Sequence, residues 1–452
     1  MKENYRKWFI FVAASLAFGS IMLDETVVAT ALPTIKNDLS MSFVTSHWVI
    51  NSYLLVIAGF IAVGGKLGDI IGYRILFTAG VFIFGISSLA AGFAESSLVL
   101  LTTRAVQGLG AAVIFPASMA ILGIIFPPSQ RGLAMGIYGA IGSIMMGAGP
   151  LIGGYFTDEI SWRWIFWLNI PVSAVVIFLF LSFWKEPSFD APRPGIDTLG
   201  LITLVLGTSS LVLAIMQGSE WGWSSGIIIF LFFAAAVLLT TFCLLELKIK
   251  QPLIELDLFT NGTFSSANLL IFTGQFTKTA VIVFGALYFQ QALKMDPFKA
   301  GLALMPAMIP ISITAIFAGR ATDRIGPRLP CLVGIFLGSI SLILMGLTAG
   351  TDRYVLLIPT LVVWGATLAF IFAPALVAVL NSVPEEKQGQ ASGIVLTAQI
   401  LGAAIGLAIL SAILIAFNNY KAVFLTIGLF GAFTTVIAWF YLDPQGKMKG
   451  TA

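Results

Sequence analysis

Fourteen apolar runs occupy almost the whole chain, at residues 8–32, 44–64, 75–94, 98–125, 132–157, 164–184, 198–217, 226–247, 264–290, 300–319, 329–349, 354–380, 391–416 and 422–442. A helix needs about 20 such residues to cross the hydrocarbon of a bilayer. Within one unbroken segment, only a helix satisfies every backbone polar group there. The pattern therefore predicts an all-α membrane protein with 14 transmembrane helices. Composition agrees, because 58% of the 452 residues are hydrophobic and only 10% are charged. A soluble domain carries about 25% charge, so this chain has too little to coat a globule. Its basic start, Met1 to Lys7, has the look of a signal peptide. The apolar run behind it continues to Leu32 without a clear small-residue cleavage site, and it is expected to stay as a first span.

An even number of spans puts both termini on one side. With that side taken as the cytoplasm, sixteen Lys and Arg residues fall in inner segments and six in outer ones. The excess inside follows the positive-inside rule. The net charge of +3 is spread over many loops, and no basic patch suggests nucleic acid as a partner. One histidine, His47, and two cysteines, Cys243 and Cys331, are too few for a zinc or iron-sulfur cluster. Both cysteines lie in apolar runs and are expected to be small buried residues. His47 reads as an interfacial ring and not as a proton relay. No pairing of nucleophile with base is recognisable, so an enzyme is not expected, and no metal or cofactor is implied.

The halves of the chain repeat. Gly65-Lys66-Leu67-Gly68-Asp69-Ile70-Ile71-Gly72-Tyr73-Arg74 reads as a charged turn after the second run, and Gly319 to Arg328 is a degenerate copy 254 residues later. Gly65, Asp69, Gly72 and Arg74 have counterparts in Gly319, Asp323, Gly326 and Arg328. Gln130-Arg131-Gly132 is likewise echoed by Lys387-Gln388-Gly389. These repeats divide the chain into an N-terminal six-helix bundle (1–184), a cytoplasmic connector (185–197), two inserted spans (198–247) and a C-terminal six-helix bundle (264–442). The connector carries Pro187, Pro192 and Pro194 and is not expected to be helical throughout.

Each repeated segment has a mechanical reading. Asp69 is placed to accept hydrogen bonds from a nearby helix N-terminus and to pair with Arg74 or Arg131, latching the cytoplasmic side. In the second copy Thr322 replaces the middle glycine and Gln388 stands for Arg131, so a looser latch at Asp323 and Arg328 is expected. The alternative is a plain loop that sets orientation.

Charges inside spans are costly and are usually kept for function or for pairing. Asp24 lies roughly 12 Å below the outer end of its span and Arg104 about 10 Å, at 1.5 Å per residue. Depths so similar allow them to pair, either as a proton-coupling site or as a structural brace. Glu25 points about 100° away from Asp24, so one of the two acids is the working group. Lys278, roughly 18 Å deep on the same rise, either lines a cavity or pairs with one of these acids.

The Gly65–Arg74 segment resembles the signature loop of the major facilitator superfamily of secondary transporters. Leu23-Asp24-Glu25-Thr26-Val27-Val28-Ala29-Thr30-Ala31-Leu32-Pro33-Thr34-Ile35 resembles the first-span motif of its fourteen-span drug:proton antiporter family, with Asp24 at the acidic position. Arg104-Ala105-Val106-Gln107-Gly108-Leu109-Gly110 is similar to the fourth-span motif, whose arginine is thought to influence proton transfer. Trp162 to Pro171 also looks typical of the family. Span five holds eight glycines from Gly132 to Gly154, and Gly149-Pro150-Leu151-Ile152-Gly153-Gly154 resembles the exporters' antiporter motif, which includes Gly142 upstream in the same helix. Glycines at four-residue spacing, Gly132/Gly136 and Gly149/Gly153, let a neighbouring backbone come close, and Pro150 permits a bend.

The resemblance implies a major-facilitator-type fold of two six-helix bundles plus two extra spans, in a bacterial cytoplasmic membrane, working as a monomer. It implies a proton-coupled antiporter that exports amphipathic or cationic drugs by alternating access, with the proton gradient in place of a cofactor. Asn51, Tyr53, Phe115, Asn268, Gln275, Phe276, Gln290 and Trp364, with Lys278, are candidates for the substrate cavity. An exporter of a lipid, siderophore or envelope metabolite and a nontransporting membrane sensor are the competing readings.

Overall fold

Apolar runs bounded by Ser, Asp and Asn become helices whose ends are chemically marked. The computed structural model describes residues 3–186, 197–249, 252–351 and 353–443, and among them the regular structure is entirely helical. The first helices are α1 (Glu3–Asp38), α2 (Phe43–Ile71), α3 (Tyr73–Gly92), α4 (Ser97–Ile125) and α5 (Pro128–Glu159). A short α6 (Trp164–Trp167) leads into α7 (Asn169–Phe183), followed by α8 (Thr198–Trp221) and α9 (Gly226–Glu246). After them come α10 (Gly262–Gln291), α11 (Pro297–Ala303), α12 (Met305–Ile325), α13 (Arg328–Thr348), α14 (Ile358–Asn381), α15 (Gln388–Phe417) and α16 (Tyr420–Tyr441).

Every run placed from sequence lies on these helices, and thirteen described stretches are long and apolar enough to cross a membrane. The remaining run falls on α12, where Pro306, Pro310 and Arg320 dilute the apolar character. Side chains of Ser42, Ser96, Asp197, Ser225 and Asn261 cap the starts of α2, α4, α8, α9 and α10. Asp296 caps α11 outside the spans, and the Lys299 backbone N–H holds its carboxyl below the usual carboxylate range. Ile227, Phe230 and Phe233 on α9 are exposed, as side chains meeting lipid should be.

The chain forms two compact units. Unit 1 contains Met1–Phe126, Ile141–Leu256 and Glu385–Ile394, and unit 2 contains Pro127–Ala140, Asp257–Pro384 and Val395–Ala452. In unit 1, α4 packs on α2 and α3, α7 packs on α1 and α3, and α8 packs on α9 and α2. In unit 2, α14 packs on α12 and α13, and α16 packs on α10 and α13. The partners match one for one once α8 and α9 are set aside, as a duplicated sequence requires.

Two expectations are corrected. The segment from Gly65 is not a turn, because α2 continues through it to Ile71 and the chain reverses only at Gly72, φ 92°. Gly326 does the same after α12 with φ 80°, a backbone region that favours glycine. Cys331 is buried as expected, but Cys243 is exposed on α9, since burial in an apolar run depends on which face meets protein. Pro187, Pro192 and Pro194 of the connector lie outside the described residues.

Candidate functional site

In unit 1, α1, α2 and α4 bring the intramembrane charges together. Arg104 Nη1 donates to Asp24 Oδ2 at 2.6 Å and to Gln107 Oε1 at 2.7 Å. Gln107 Nε2 closes the ring onto Asp24 Oδ1 at 3.0 Å, and Arg104 Nε donates to the Val49 carbonyl at 3.1 Å. Asp24 is 1% exposed and Arg104 0%, so water does not compete for these bonds. The guanidinium lies 4.2 Å from the Tyr53 ring centroid and 5.8 Å from that of Phe166, where the ring faces stabilise a cation. Val27, Val28, Ala31, Val49 and Phe166 belong to one buried apolar cluster.

A carboxylate so placed is held by two hydrogen bonds, one charge-assisted and one from an amide, in a dry setting. A proton arriving at Asp24 would cancel the attraction that fixes Arg104. Glu25 is half-buried. Tyr53, a cavity candidate, is fully buried against the Arg104 guanidinium. Gln107 was missed as a member, although its position three residues after Arg104 puts both on one helical face.

The repeated acids meet helix starts within their own units. Asp69 accepts the N–H groups of Gly389 (3.1 Å) and Gln390 (2.9 Å) in the first turn of α15, and the Tyr73 hydroxyl at 2.6 Å. In unit 2, Asp323 accepts from Gly132 (2.7 Å) and Leu133 (2.8 Å) near the start of α5. The expected pairing of Asp69 with Arg74 or Arg131 is replaced by these contacts. Arg131 donates instead to Asn381 Oδ1 at 2.7 Å. Arg74 is exposed, and Arg328 Nη2 donates to the Trp439 carbonyl at 2.7 Å. The backbone contacts of the second copy are not looser, since both Asp323 bonds are shorter than those of Asp69 to Gly389 and Gln390, while Asp69 has the Tyr73 hydroxyl in addition.

Glycine permits the close approach each acid needs. A side chain on Gly65 would strike the backbone of Gly389 and Gly393, and one on Gly319 would strike Gly132. On α5, Gly142, Gly149 and Gly153 face Phe18, Thr26 and Val27 of α1, while Gly154 faces open space. The helix passes through Pro150 without interruption.

Glu186, which has no sequence signal, caps α3. Its Oε1 accepts from Tyr73 N–H and its Oε2 from Arg74 N–H, each at 2.8 Å, and Trp184 Nε1 donates to Oε2 at 2.7 Å. Of the remaining cavity candidates, Phe276 and Trp364 are buried in unit 2, with Asn268. Gln275, Lys278 and Gln290 there, and Asn51 and Phe115 in unit 1, are partly exposed.

The family model described as Major Facilitator Superfamily matches residues 14–274 and 266–452. The multidrug resistance protein Stp of Mycobacterium tuberculosis (strain CDC 1551 / Oshkosh) is 31% identical over 414 residues, covering 91% of this chain and 77% of that one. The tetracenomycin C resistance and export protein of Streptomyces glaucescens is 28% identical over 409 residues, covering 90% and 76%. Among solved structures, the proton:xylose symporter XylE bound to 6-bromo-6-deoxy-D-glucose superposes with a TM-score of 0.71 over 99% of this chain and 98% of that one. At 14% identity this likeness carries the fold alone.

Proposed function

The chain belongs to the Major Facilitator Superfamily, and we propose that it is a proton-coupled antiporter exporting amphipathic or cationic drugs from the cytoplasm by alternating access. It is a multi-pass membrane transporter and not an enzyme. The observation that carries the finer reading is the dry ring of Asp24, Arg104 and Gln107, among helices that cross lipid. An unpaired charge there is expensive, so Asp24 either holds Arg104 or holds a proton. Exchange between these states biases one conformation against another. Drug and proton binding to opposite states couples their fluxes. Resistance and export in the names of similar proteins support outward transport of drugs.

The distribution of Lys and Arg favours both termini in the cytoplasm, in the inner membrane of a bacterium. Protons, small amphipathic cargo and lipid are the partners of this monomeric reading. Purified protein in inverted vesicles tests it. Drug accumulation under an imposed pH gradient, abolished in Asp24→Asn and retained in Glu25→Gln, is expected. Equal transport with the gradient collapsed would make the protein a uniporter and end the coupling reading.

A further inference from the structure

The two inserted helices meet at their cytoplasmic ends, in the orientation given above, through a pair of acids that the transport reading does not use. Asp197 precedes α8 and Glu246 ends α9, and both belong to unit 1. Glu246 is 4% exposed. One oxygen of each acid already has a donor: Asp197 Oδ1 accepts from Gly200 N–H at 3.0 Å and Glu246 Oε2 from Ile254 N–H at 3.1 Å. The other two, Asp197 Oδ2 and Glu246 Oε1, lie together beside Gly200, within hydrogen-bonding reach of each other. Both are buried, and neither meets a donor among the described residues.

Two ionised carboxyls cannot hydrogen-bond, because each only accepts. Face to face and out of water they repel, and one of such a pair keeps its proton. We propose that Asp197 and Glu246 form a one-proton site between Asp197 Oδ2 and Glu246 Oε1, and that losing this proton frees residues 253–255 from α9. A metal cation fits less well. Hard cations take about six or more oxygens, whereas the pair leaves two uncommitted among the described residues.

The consequence reaches α15. Ile254 is held by Glu246, the neighbouring Leu253 carbonyl accepts from Gln390 Nε2 at 3.2 Å, and Glu255 Oε2 pairs with Lys387 Nζ at 2.6 Å. Gln390 also donates its N–H to Asp69. Among the described residues Lys66 of α2 is a further nearby cation, and it interacts with Asp69, Glu255, Lys387 and Glu246. The site thus fastens the inserted pair to the helix start that Asp69 holds, so α8 and α9 do more than fill space.

Infrared spectra of the full-length protein in nanodiscs, titrated from acid to alkaline pH, test the site without any transport assay. A protonated-carboxyl C=O band that disappears on alkaline titration is expected in the wild type. The part of the band that this pair contributes at mildly acid pH should be lost in Glu246→Gln and in Asp197→Asn, where an amide supplies the donor. Asn is also a good helix cap, so the second variant keeps α8 intact. Hydrogen exchange at Ile254, corrected for intrinsic rates, should accelerate as the band disappears in the wild type and stay level in Asp197→Asn. Superposable bands in wild type and both variants would overturn the proposal. So would stabilisation of the wild type by sodium over choline that Glu246→Gln loses, since that marks a cation site.

Discussion

The carboxylate of Asp323 accepts the backbone N–H of Gly132 at 2.7 Å, just as that of Asp69 accepts the N–H of Gly389 in the other unit. A negative charge near a helix start is favoured by the helix dipole by up to ~2 kcal/mol where it is partly buried. Asp323→Ala is therefore expected to speed hydrogen exchange at Gly132 and Leu133, while Gly389 and Gln390 keep their protection. Asp69→Ala should give the reverse pattern. Equal exchange at both helix starts in either variant would mean that the acids do not clamp them.

Arg104 and Asp24 stand or fall together. Removing one partner leaves a buried charge uncompensated, at a cost of about 3–5 kcal/mol. Arg104→Ala should therefore lower the thermal midpoint strongly, while Asp24→Leu combined with Arg104→Met recovers most of the loss and still fails to transport. A double variant no more stable than Arg104→Ala would show that the pair's packing, and not its charge, sets stability.

The glycines of α5 differ in what surrounds them. A side chain on Gly149 would run into Thr26, and one on Gly153 would come within 2.9 Å of the Val27 carbonyl. Gly149→Val should destabilise by about 1–3 kcal/mol, as overpacking does. Gly154, with nothing within 4 Å, should accept Ala with a gain of up to ~1 kcal/mol from helix propensity. Thermal unfolding in detergent compares them directly, and a matching loss in both variants would rule out the α1 contact as the cause.

Glu186 satisfies two backbone donors at the start of α3. Glu186→Ala should cost about 1–3 kcal/mol, chiefly from leaving the N–H of buried Tyr73 without a partner, and should expose the Tyr73 amide to exchange. Glu186→Gln, which keeps an acceptor, should lose less. Unchanged protection at Tyr73 in Glu186→Ala would remove the cap from the account.

The sequence by itself determined the number and order of the spans, because the length of an apolar run is a local property that lipid reads directly. It also determined the duplication and the meeting of Asp69 with a helix start, because Gly65, Asp69 and Gly72 recur in register with Gly319, Asp323 and Gly326. Tertiary structure alone decided the partners. Which helix start each acid reaches depends on how α15 and α5 pack. The placing of Tyr53 and Gln107 around Arg104, the exposure of Cys243, and the caps and contacts made by Glu186 and Glu246 depend on which face of each helix meets protein. In a chain apolar on nearly every face, hydrophobic pattern does not distinguish the side toward lipid from the side toward a neighbouring helix, and only packing breaks that tie.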